Sequence, residues 1–244
     1  MPRFYIAPRA WKPERLELDS AESHHAVDVL RMKAGDRATV FNGEGAEAEV
    51  ELVKPGRQRV ELRCVSVQKT PALRCRITLG QAVPKGKHMD LIIEKATELG
   101  VAEIQPLLSE RTVVRGTEGE HQRKQDKWQR VAVEACKQCG QNFLPRVAAP
   151  CAPKAFFDRA PRFDLMLIAS LQADAKPLKN VMADFGTKRP GSVLILIGPE
   201  GDFTPAEVAL AKGAGCRPIT LGPIILRTET AAIYCLSVLN YELQ

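Results

Sequence analysis

Two short segments near the end of the chain combine glycines with charged side chains. Residues 198–205 have the sequence Gly-Pro-Glu-Gly-Asp-Phe-Thr-Pro, and residues 221–231 have the sequence Leu-Gly-Pro-Ile-Ile-Leu-Arg-Thr-Glu-Thr-Ala. Because glycine has no Cβ, such loops expose backbone N–H groups and leave room for a flat ring. The phosphate-binding patterns Gly-x-Gly-x-x-Gly and Gly-x4-Gly-Lys-Ser/Thr are absent. The segments therefore predict a site for a nucleotide-like ligand that carries no pyrophosphate.

The first segment lies between a predicted strand and a predicted helix. Residues 193–197 form an unbroken apolar run, which is typical of a strand buried on both faces. Thr204 can cap the following helix, because Pro205 suits its first position and Glu207 can complete a capping box. A strand, a tight turn and a helix start are a common setting for a ligand-binding loop.

The second segment repeats this arrangement. Residues 219–222 predict a short strand, and Thr228 predicts the cap of a final helix that runs to about Tyr241. We therefore expect the two loops to lie side by side at the strand ends of one parallel sheet.

The rest of the chain predicts two domains with a boundary at about residue 70. Before it, short strands and one helix suggest a small β-barrel; the strands are expected at 3–7, 38–42, 47–53 and 59–68, and the helix at 19–33. Asp19 or Ser20 can cap this helix, and Glu22 can complete a capping box with Asp19. After the boundary, strands and helices alternate, which predicts an α/β domain with five or six mostly parallel strands. Its other strands are expected at 75–83, 103–108 and 163–169, its other helices at 87–99, 122–138 and 177–185, and a rigid linker at 144–154. Gly100 is expected to end the helix at 87–99.

Composition narrows the class of protein and of partner. The apolar runs are too short to span a membrane, no signal-peptide core is visible, and seven scattered cysteines suit a reducing compartment, so we expect a cytoplasmic protein without a membrane. Cys136 and Cys139 have no second ligand pair nearby, so no metal is expected.

Residues 71–160 contain 15 basic and 10 acidic side chains, whereas residues 161–244 contain 8 of each. A neutral final third fits a small-molecule site, and a basic middle fits a polyanion such as RNA.

The two glycine-bearing segments resemble those of the RsmE family of SPOUT methyltransferases. Further motifs follow in family order, namely His24-His25 with Val29-Leu30-Arg31 and Gly35-Asp36, then residues 93–101, then Ser109-Glu110-Arg111, then residues 134–140. The resemblance covers the whole chain. It implies S-adenosyl-L-methionine as cofactor and methylation of N-3 of a uridine in 16S ribosomal RNA of the small subunit. It also implies a PUA-like RNA-binding β-barrel (1–70), a SPOUT domain with a deep trefoil knot (71–244), and a homodimer.

The resemblance and the chemistry together assign candidate site residues. Methylation of N-3 requires loss of the ring proton, and Arg227 can stabilise the resulting anion. Glu200 and Glu229 are candidates for accepting the proton or for orienting Arg227, and a carboxylate such as Glu200 also suits the positive sulfonium. The candidate cofactor-binding residues are Ala169, Leu171, Ile197, Gly198, Pro199, Glu200, Gly201, Leu221, Gly222, Ile225, Leu226, Arg227, Thr228, Thr230 and Ala231. The candidate RNA-binding residues are Arg3, Arg9, Arg31, Lys85, Arg111, Arg115, Arg123 and Lys127.

The chain departs from the family pattern at three positions. Asp202 stands where glycine is usual, Ile224 where arginine is usual, and Gln141 where arginine often follows Gly140. Two positive groups are thus missing where RNA is expected. This leaves two other readings open, an RNA-binding protein of the same fold with little catalysis and a small-molecule enzyme with a nucleotide cofactor. A structural role for Arg227, paired with Glu229 or Glu200 to hold its loop, also remains open.

Overall fold

The computed structural model describes residues 1–112, 116–184 and 189–244. The chain divides into two compact units. The first comprises Met1–Ala72 and Val133–Leu144, and the second comprises Leu73–Ala132 and Pro145–Gln244. One helix, α3 (Glu118–Cys139), contributes residues to both units, because the division falls between Ala132 and Val133. The sequence-based domain boundary at about residue 70 stays a prediction. Among the described residues, no helix is both long and apolar enough to cross a membrane.

The first unit is built on a five-stranded sheet. Its order is β1-β3-β4-β5-β2, with β1 and β3 parallel and the other pairs antiparallel. The alternation of buried and outward residues in β4 follows the pleat, since Ala48, Val50 and Leu52 point into the core. The strands are β1 (Arg3–Tyr5), β2 (Leu16–Leu18), β3 (Arg37–Phe41), β4 (Ala46–Lys54) and β5 (Val60–Lys69). The predicted β-rich unit is therefore confirmed, in the coarser form of a small sheet with β1 and β2 at its edges.

The predicted helix at 19–33 is shorter and less regular than expected. It consists of α1 (Ser20–His24) followed by one π-helical turn (His25–Val29). Asp19 caps α1 as expected, because its carboxylate accepts a hydrogen bond of 2.9 Å from the backbone N–H of Glu22. The Glu22 side chain does not close the capping box, because it turns to the ammonium of Lys137 at 3.1 Å.

The second unit contains a seven-stranded sheet in which every pair is parallel. The order is β10-β12-β9-β11-β6-β7-β8. The expectation of five or six mostly parallel strands was therefore too low, since the two-residue strands β8 and β10 are too short to produce a hydrophobic period. The strands are β6 (Arg76–Ala82), β7 (Glu103–Leu107), β8 (Arg146–Val147), β9 (Leu165–Ala169), β10 (Lys176–Pro177), β11 (Ser192–Ile197) and β12 (Arg217–Thr220).

Helices cover both faces of this sheet. Leu194 and Leu196 of β11 belong to a core cluster that includes Phe156 of α4 and Val208 of α6. The alternate residues of β11 point to the opposite face, where α7 packs on β11 and β6. This two-sided burial explains the unbroken apolar run at 193–197. The helices are α2 (His88–Glu98), α4 (Pro153–Phe157), α5 (Leu178–Ala183), α6 (Pro205–Gly213) and α7 (Thr228–Leu243).

Two local expectations for the second unit were wrong, and a third is confirmed as far as the described residues extend. The strand expected at 219–222 ends at Thr220, which leaves residues 221–227 as loop. The linker expected at 144–154 contains β8 and the start of α4, because Pro153 provides a helical first position rather than a break. The helix expected at 177–185 is α5, and its expected last residue, Phe185, lies outside the described residues.

Candidate functional site

A cavity of about 270 Å³ lies at the carboxyl ends of three adjacent strands. In the sheet, β9 lies between β12 and β11, so the loops that follow these strands meet at one edge. The carboxyl edge of a parallel sheet is the usual position for a ligand. The volume is near the lower end of the range for small-molecule sites, about 300–1,000 Å³. The two glycine-bearing segments are therefore neighbours, as predicted.

The cavity wall contains most of the residues proposed from the sequence. These are Ala169, Leu171, Ile197, Gly198, Pro199, Glu200, Leu221, Gly222, Ile225, Leu226, Arg227, Thr228 and Ala231. Two of the proposed residues, Gly201 and Thr230, are not in the wall. Four further wall residues were missed, namely Ser170, Asp202, Thr220 and Ile224. Ser170 and Thr220 stand at the ends of β9 and β12, so strand-end position was the signal that could have identified them.

Thr228 joins the two glycine-bearing loops. Its hydroxyl donates a hydrogen bond of 2.7 Å to the carbonyl oxygen of Gly198 and accepts one of 3.0 Å from Nε2 of Gln81. The prediction that Thr228 caps the last helix was wrong, since the N-cap is Arg227 and Thr228 is the first helical residue. The hydroxyl is used between strands instead, because the buried Thr228 side chain faces the end of β11 rather than its own helix.

The loop after β11 is held by side-chain hydrogen bonds of Asp202 and of the Thr204–Glu207 pair. Asp202 has a backbone φ of +60°, a conformation that suits glycine and that aspartate and asparagine tolerate better than other residues. Its Oδ1 accepts from the backbone N–H of Phe203 at 2.8 Å, and its Oδ2 from that of Leu171 at 3.4 Å. The predicted capping box of α6 is confirmed, with Thr204 and Glu207 bonded in both directions.

Gly201 faces the segment after β7 instead of the cavity. Its carbonyl oxygen accepts a hydrogen bond from Nη1 of Arg111. The backbone N–H of Glu110 also donates to Oε1 of Glu207 at 2.9 Å. A Cβ on Gly201 would lie 3.3 Å from Cδ of Arg111, so a larger residue here would require the Arg111 side chain to shift by a few tenths of an ångström. Arg111, a candidate RNA-binding residue, is therefore attached to the loop that forms the cavity.

The three candidate catalytic residues have different surroundings. Arg227 lines the cavity and is exposed, and among the described residues its guanidinium has no ion-pair partner within 4.0 Å. Glu200 also lines the cavity, and its Oε1 accepts from the backbone N–H of Lys85 at 2.9 Å. Glu229 is outside the wall, with Oε1 at 3.7 Å from Nδ1 of His88. Within the described chain, neither carboxylate holds Arg227.

The candidate RNA-binding residues also differ in their availability. Arg3 is mostly buried, because it pairs with Glu47 at 3.1 Å, donates to Asn142 at 2.7 Å and lies over the ring of Phe41. The Lys127 ammonium pairs with Asp90 at 2.6 Å but stays half exposed. Arg115 lies outside the described residues. The exposed residues of this set are Arg9, Arg31, Lys85, Arg111, Arg123 and Lys127.

Comparison with known proteins places the chain in a family context. The family model of the RNA methyltransferase domain matches residues 71–240, and that of the RNA methyltransferase PUA domain matches residues 18–64. Ribosomal RNA small subunit methyltransferase E of Bacillus subtilis is 32% identical over 91% of this chain and 88% of the relative. Its counterpart from Synechocystis is 31% identical over 99% of this chain and 78% of the relative.

Solved structures are similar over nearly the whole chain. A methyltransferase from Legionella pneumophila, solved in complex with the bound cofactor SAM, has a TM-score of 0.88 at 35% identity and covers 98% of this chain and 96% of its own. Ribosomal RNA small subunit methyltransferase E from Neisseria gonorrhoeae, bound to S-adenosyl methionine, has a TM-score of 0.85 at 30% identity, with coverages of 99% and 97%.

Proposed function

The chain belongs to the RNA methyltransferase family, and we propose that it methylates N-3 of a uridine in 16S ribosomal RNA of the small subunit. The cofactor of this reaction is S-adenosyl-L-methionine. The observation that carries the proposal is the cavity at the ends of β9, β11 and β12, whose walls are tied together by the hydroxyl of Thr228. The relatives named above act on small-subunit ribosomal RNA by name, and two similar structures hold the same cofactor.

The wall residues fit this cofactor chemically. Adenosylmethionine has a flat adenine, a positively charged sulfur and no phosphate. Apolar side chains such as Leu221, Leu226 and Ala231 offer a surface for the ring, and Glu200 and Asp202 place negative charge at the same cavity. Gly222 has a φ of +120°, so glycine is required where this loop turns beside the cavity. When bound, the cofactor supplies a methyl group on the positively charged sulfur.

Arg227 and Glu200 suit the two requirements of uracil methylation. The N-3 proton must leave, and negative charge then spreads onto the flanking carbonyl oxygens. The guanidinium of Arg227 can donate to such an oxygen, since no carboxylate within the described residues occupies it. Oε2 of Glu200 can accept the proton, because the Lys85 N–H bonds only Oε1. Transfer then forms the N–C bond, breaks the C–S bond and leaves a neutral thioether. Glu229 lies outside the cavity wall, with Oε1 at 3.7 Å from Nδ1 of His88, so Glu200 is the proposed proton acceptor.

The path of the chain supports a trefoil knot in the second unit. After β12, residues 221–227 pass the carboxyl ends of β9 and β11 before α7 packs on β11 and β6. The hydrogen bond between Thr228 and Gly198 joins the end of this loop to the loop after β11. We propose that these loops form the deep knot that the family resemblance implies.

Exposed apolar side chains on the second unit support a homodimer. They surround the cavity mouth and continue onto α7, and they are Leu171, Ile224, Ile225, Tyr234 and Tyr241. Large exposed apolar side chains clustered on one surface are typical of an interface. A second copy of the chain would cover them, and the RNA site would then include both subunits. Residues 1–70 are proposed as the RNA-binding PUA-like domain, and the ribosomal substrate implies action in the cytoplasm.

A methylation assay tests the proposed function. Small subunits from a strain that lacks the gene would be incubated with the protein and adenosylmethionine, and the RNA analysed by nucleoside mass spectrometry and primer extension. N-3 methylation blocks the pairing edge of uracil, so a new reverse-transcription stop should appear at one uridine. RNA binding without methyl incorporation would support the alternative of a binding protein with little catalysis and contradict the proposal. Naked 16S rRNA, assayed in parallel, shows which substrate form is used.

A further inference from the structure

Asp202 is a half-buried carboxylate in the wall of the cavity. Each of its oxygens accepts one backbone hydrogen bond, Oδ1 from Phe203 and Oδ2 from Leu171. A carboxylate has about four acceptor sites, so both oxygens retain capacity for a further contact. A Cβ on Gly198 would lie 3.0 Å from Oδ1, which shows how closely this carboxylate lies against the cavity loop.

Charge within the cavity wall is unbalanced around Asp202. The charged wall residues are Glu200, Asp202 and Arg227. Within the described residues, Asp202 has no cationic partner within 4.0 Å, and the neighbouring Glu200 is exposed and directed to the Lys85 backbone. A partly buried carboxylate without a cationic partner is stabilised by any positive charge that enters the cavity.

This chain has aspartate at position 202, where the family pattern has glycine. The backbone φ of +60° would suit the glycine that the family resemblance leads one to expect, and a side chain here is less favourable. The two backbone hydrogen bonds use both carboxylate oxygens, whereas the amide oxygen of asparagine could accept only one of them. They leave the net negative charge of the carboxylate at the cavity without a cationic partner among the described residues.

We propose that Asp202 is a charge-specificity residue, whose carboxylate favours the positively charged sulfonium of the cofactor over the neutral thioether of the product. This inference rests on the proposed function. Methyl transfer removes the positive charge from the sulfur, so the attraction to Asp202 is lost in the same step. The residue thereby strengthens cofactor binding relative to product binding and limits product inhibition.

Titration calorimetry on the full-length protein tests this assignment. The probes are adenosylmethionine, adenosylhomocysteine and sinefungin, which carries a protonated amine in place of the sulfonium methyl. The variants are Asp202→Asn, which keeps the tolerance for positive φ and one acceptor oxygen, and Asp202→Gly, which suits the positive φ but removes the side chain with its charge and both acceptor oxygens. Asp158→Asn is the matched control, because this aspartate pairs with Lys154 on α4 and lies outside the cavity wall. Melting temperatures of all variants report folding.

The expected result is a change in the ratio of the affinity for adenosylmethionine to the affinity for adenosylhomocysteine. In Asp202→Asn the affinities for adenosylmethionine and sinefungin should fall about tenfold, as expected for loss of one partly screened charge pair, while that for adenosylhomocysteine stays within about twofold. Equal loss for all three ligands would overturn the proposal, because it would indicate only a loop contact or the shared amino-acid end. An unchanged ratio in both variants would also overturn it. Failure of the wild-type protein to bind any probe would instead refute the proposed function.

Discussion

The hydroxyl of Thr228 lies 2.7 Å from the carbonyl oxygen of Gly198, and this one contact connects two loops that are 30 residues apart in the chain. Because the same hydroxyl accepts from Gln81 at 3.0 Å, the ends of β6 and β11 and the start of α7 are joined at a single buried atom. The cavity wall is therefore built from backbone segments whose spacing depends on this side chain.

Thr228→Ala should loosen the cavity. The substitution leaves the buried groups of Gly198 and Gln81 without their partner, which costs about 1–3 kcal/mol of unfolding free energy. We expect cofactor affinity to fall about tenfold, measured by calorimetry together with denaturant unfolding. Thr228→Ser, which retains the hydroxyl, should recover most of both quantities. Thr230→Ala is the control, since Thr230 is exposed on the same helix. Equal effects of the serine and alanine variants would contradict this role.

Arg227→Ala should impair chemistry more than cofactor binding. The guanidinium is exposed at the cavity and, within the described residues, free of carboxylate partners. Loss of a preorganised donor to the uracil anion should lower the single-turnover rate about a hundredfold or more. Arg227→Lys should recover only part, because an ammonium lacks the planar fork. Higher pH should partly compensate if loss of the N-3 proton limits the rate. A normal rate at saturating cofactor would disprove the catalytic role.

Arg111→Ala should weaken cofactor binding even when RNA is absent. The guanidinium donates to the carbonyl oxygen of Gly201, so its removal frees the loop that forms one wall of the cavity. We expect a several-fold loss of adenosylmethionine affinity by calorimetry, of the order of one hydrogen bond. Arg123→Ala, a change of the same charge on α3, should leave this affinity unaltered. If both variants bind the cofactor like the wild type, Arg111 has no positioning role.

Arg123 and Arg3 should respond differently in RNA-binding experiments. Arg123 is exposed, so Arg123→Gln should reduce the slope of log affinity against log salt by about one if it contacts a phosphate. Arg3 is bound by Glu47 and Asn142, so Arg3→Gln should lower the melting temperature and leave the slope unchanged. Filter binding over a salt series, with thermal unfolding of each variant, measures both effects. The opposite pattern would show that the RNA-contacting surface has been misassigned.

Native cysteine labelling should separate one exposed thiol from three protected ones. Burial raises the pKa of the Cys136, Cys216 and Cys235 thiols to about 12, whereas Cys139 is exposed. Only thiolates react with iodoacetamide, and a thiol with a raised pKa stays protonated until the pH approaches that value. At pH 8.5, Cys139 should be modified first and the three buried cysteines only after unfolding, as measured by peptide mass spectrometry. Rapid native labelling of Cys216 would contradict this core.

The amino-acid sequence alone predicted most local elements and the strand ends at which the cavity lies. The apolar run at 193–197 predicted a doubly buried strand, and the Thr204–Glu207 capping box and the Asp19 cap were identified correctly. Gly100, with a φ of +73°, marks the end of α2 as expected. Such signals are short-range, because a strand period or a cap depends on residues within a few positions of one another.

Tertiary structure decided what individual side chains do. Thr228 is of a residue type that commonly caps helices, yet its hydroxyl bonds Gly198 and Gln81. Gly201 was expected to bind the cofactor, yet its carbonyl oxygen accepts a hydrogen bond from Arg111. Arg3 has the charge of an RNA ligand, yet an acidic partner and an aromatic ring hold it inside the first unit. Each of these roles depends on a partner between 30 and 147 residues away in the chain. Without that partner, the same residue could make other contacts. Only the packing of the two units' own sheets and helices brings such partners within hydrogen-bonding distance.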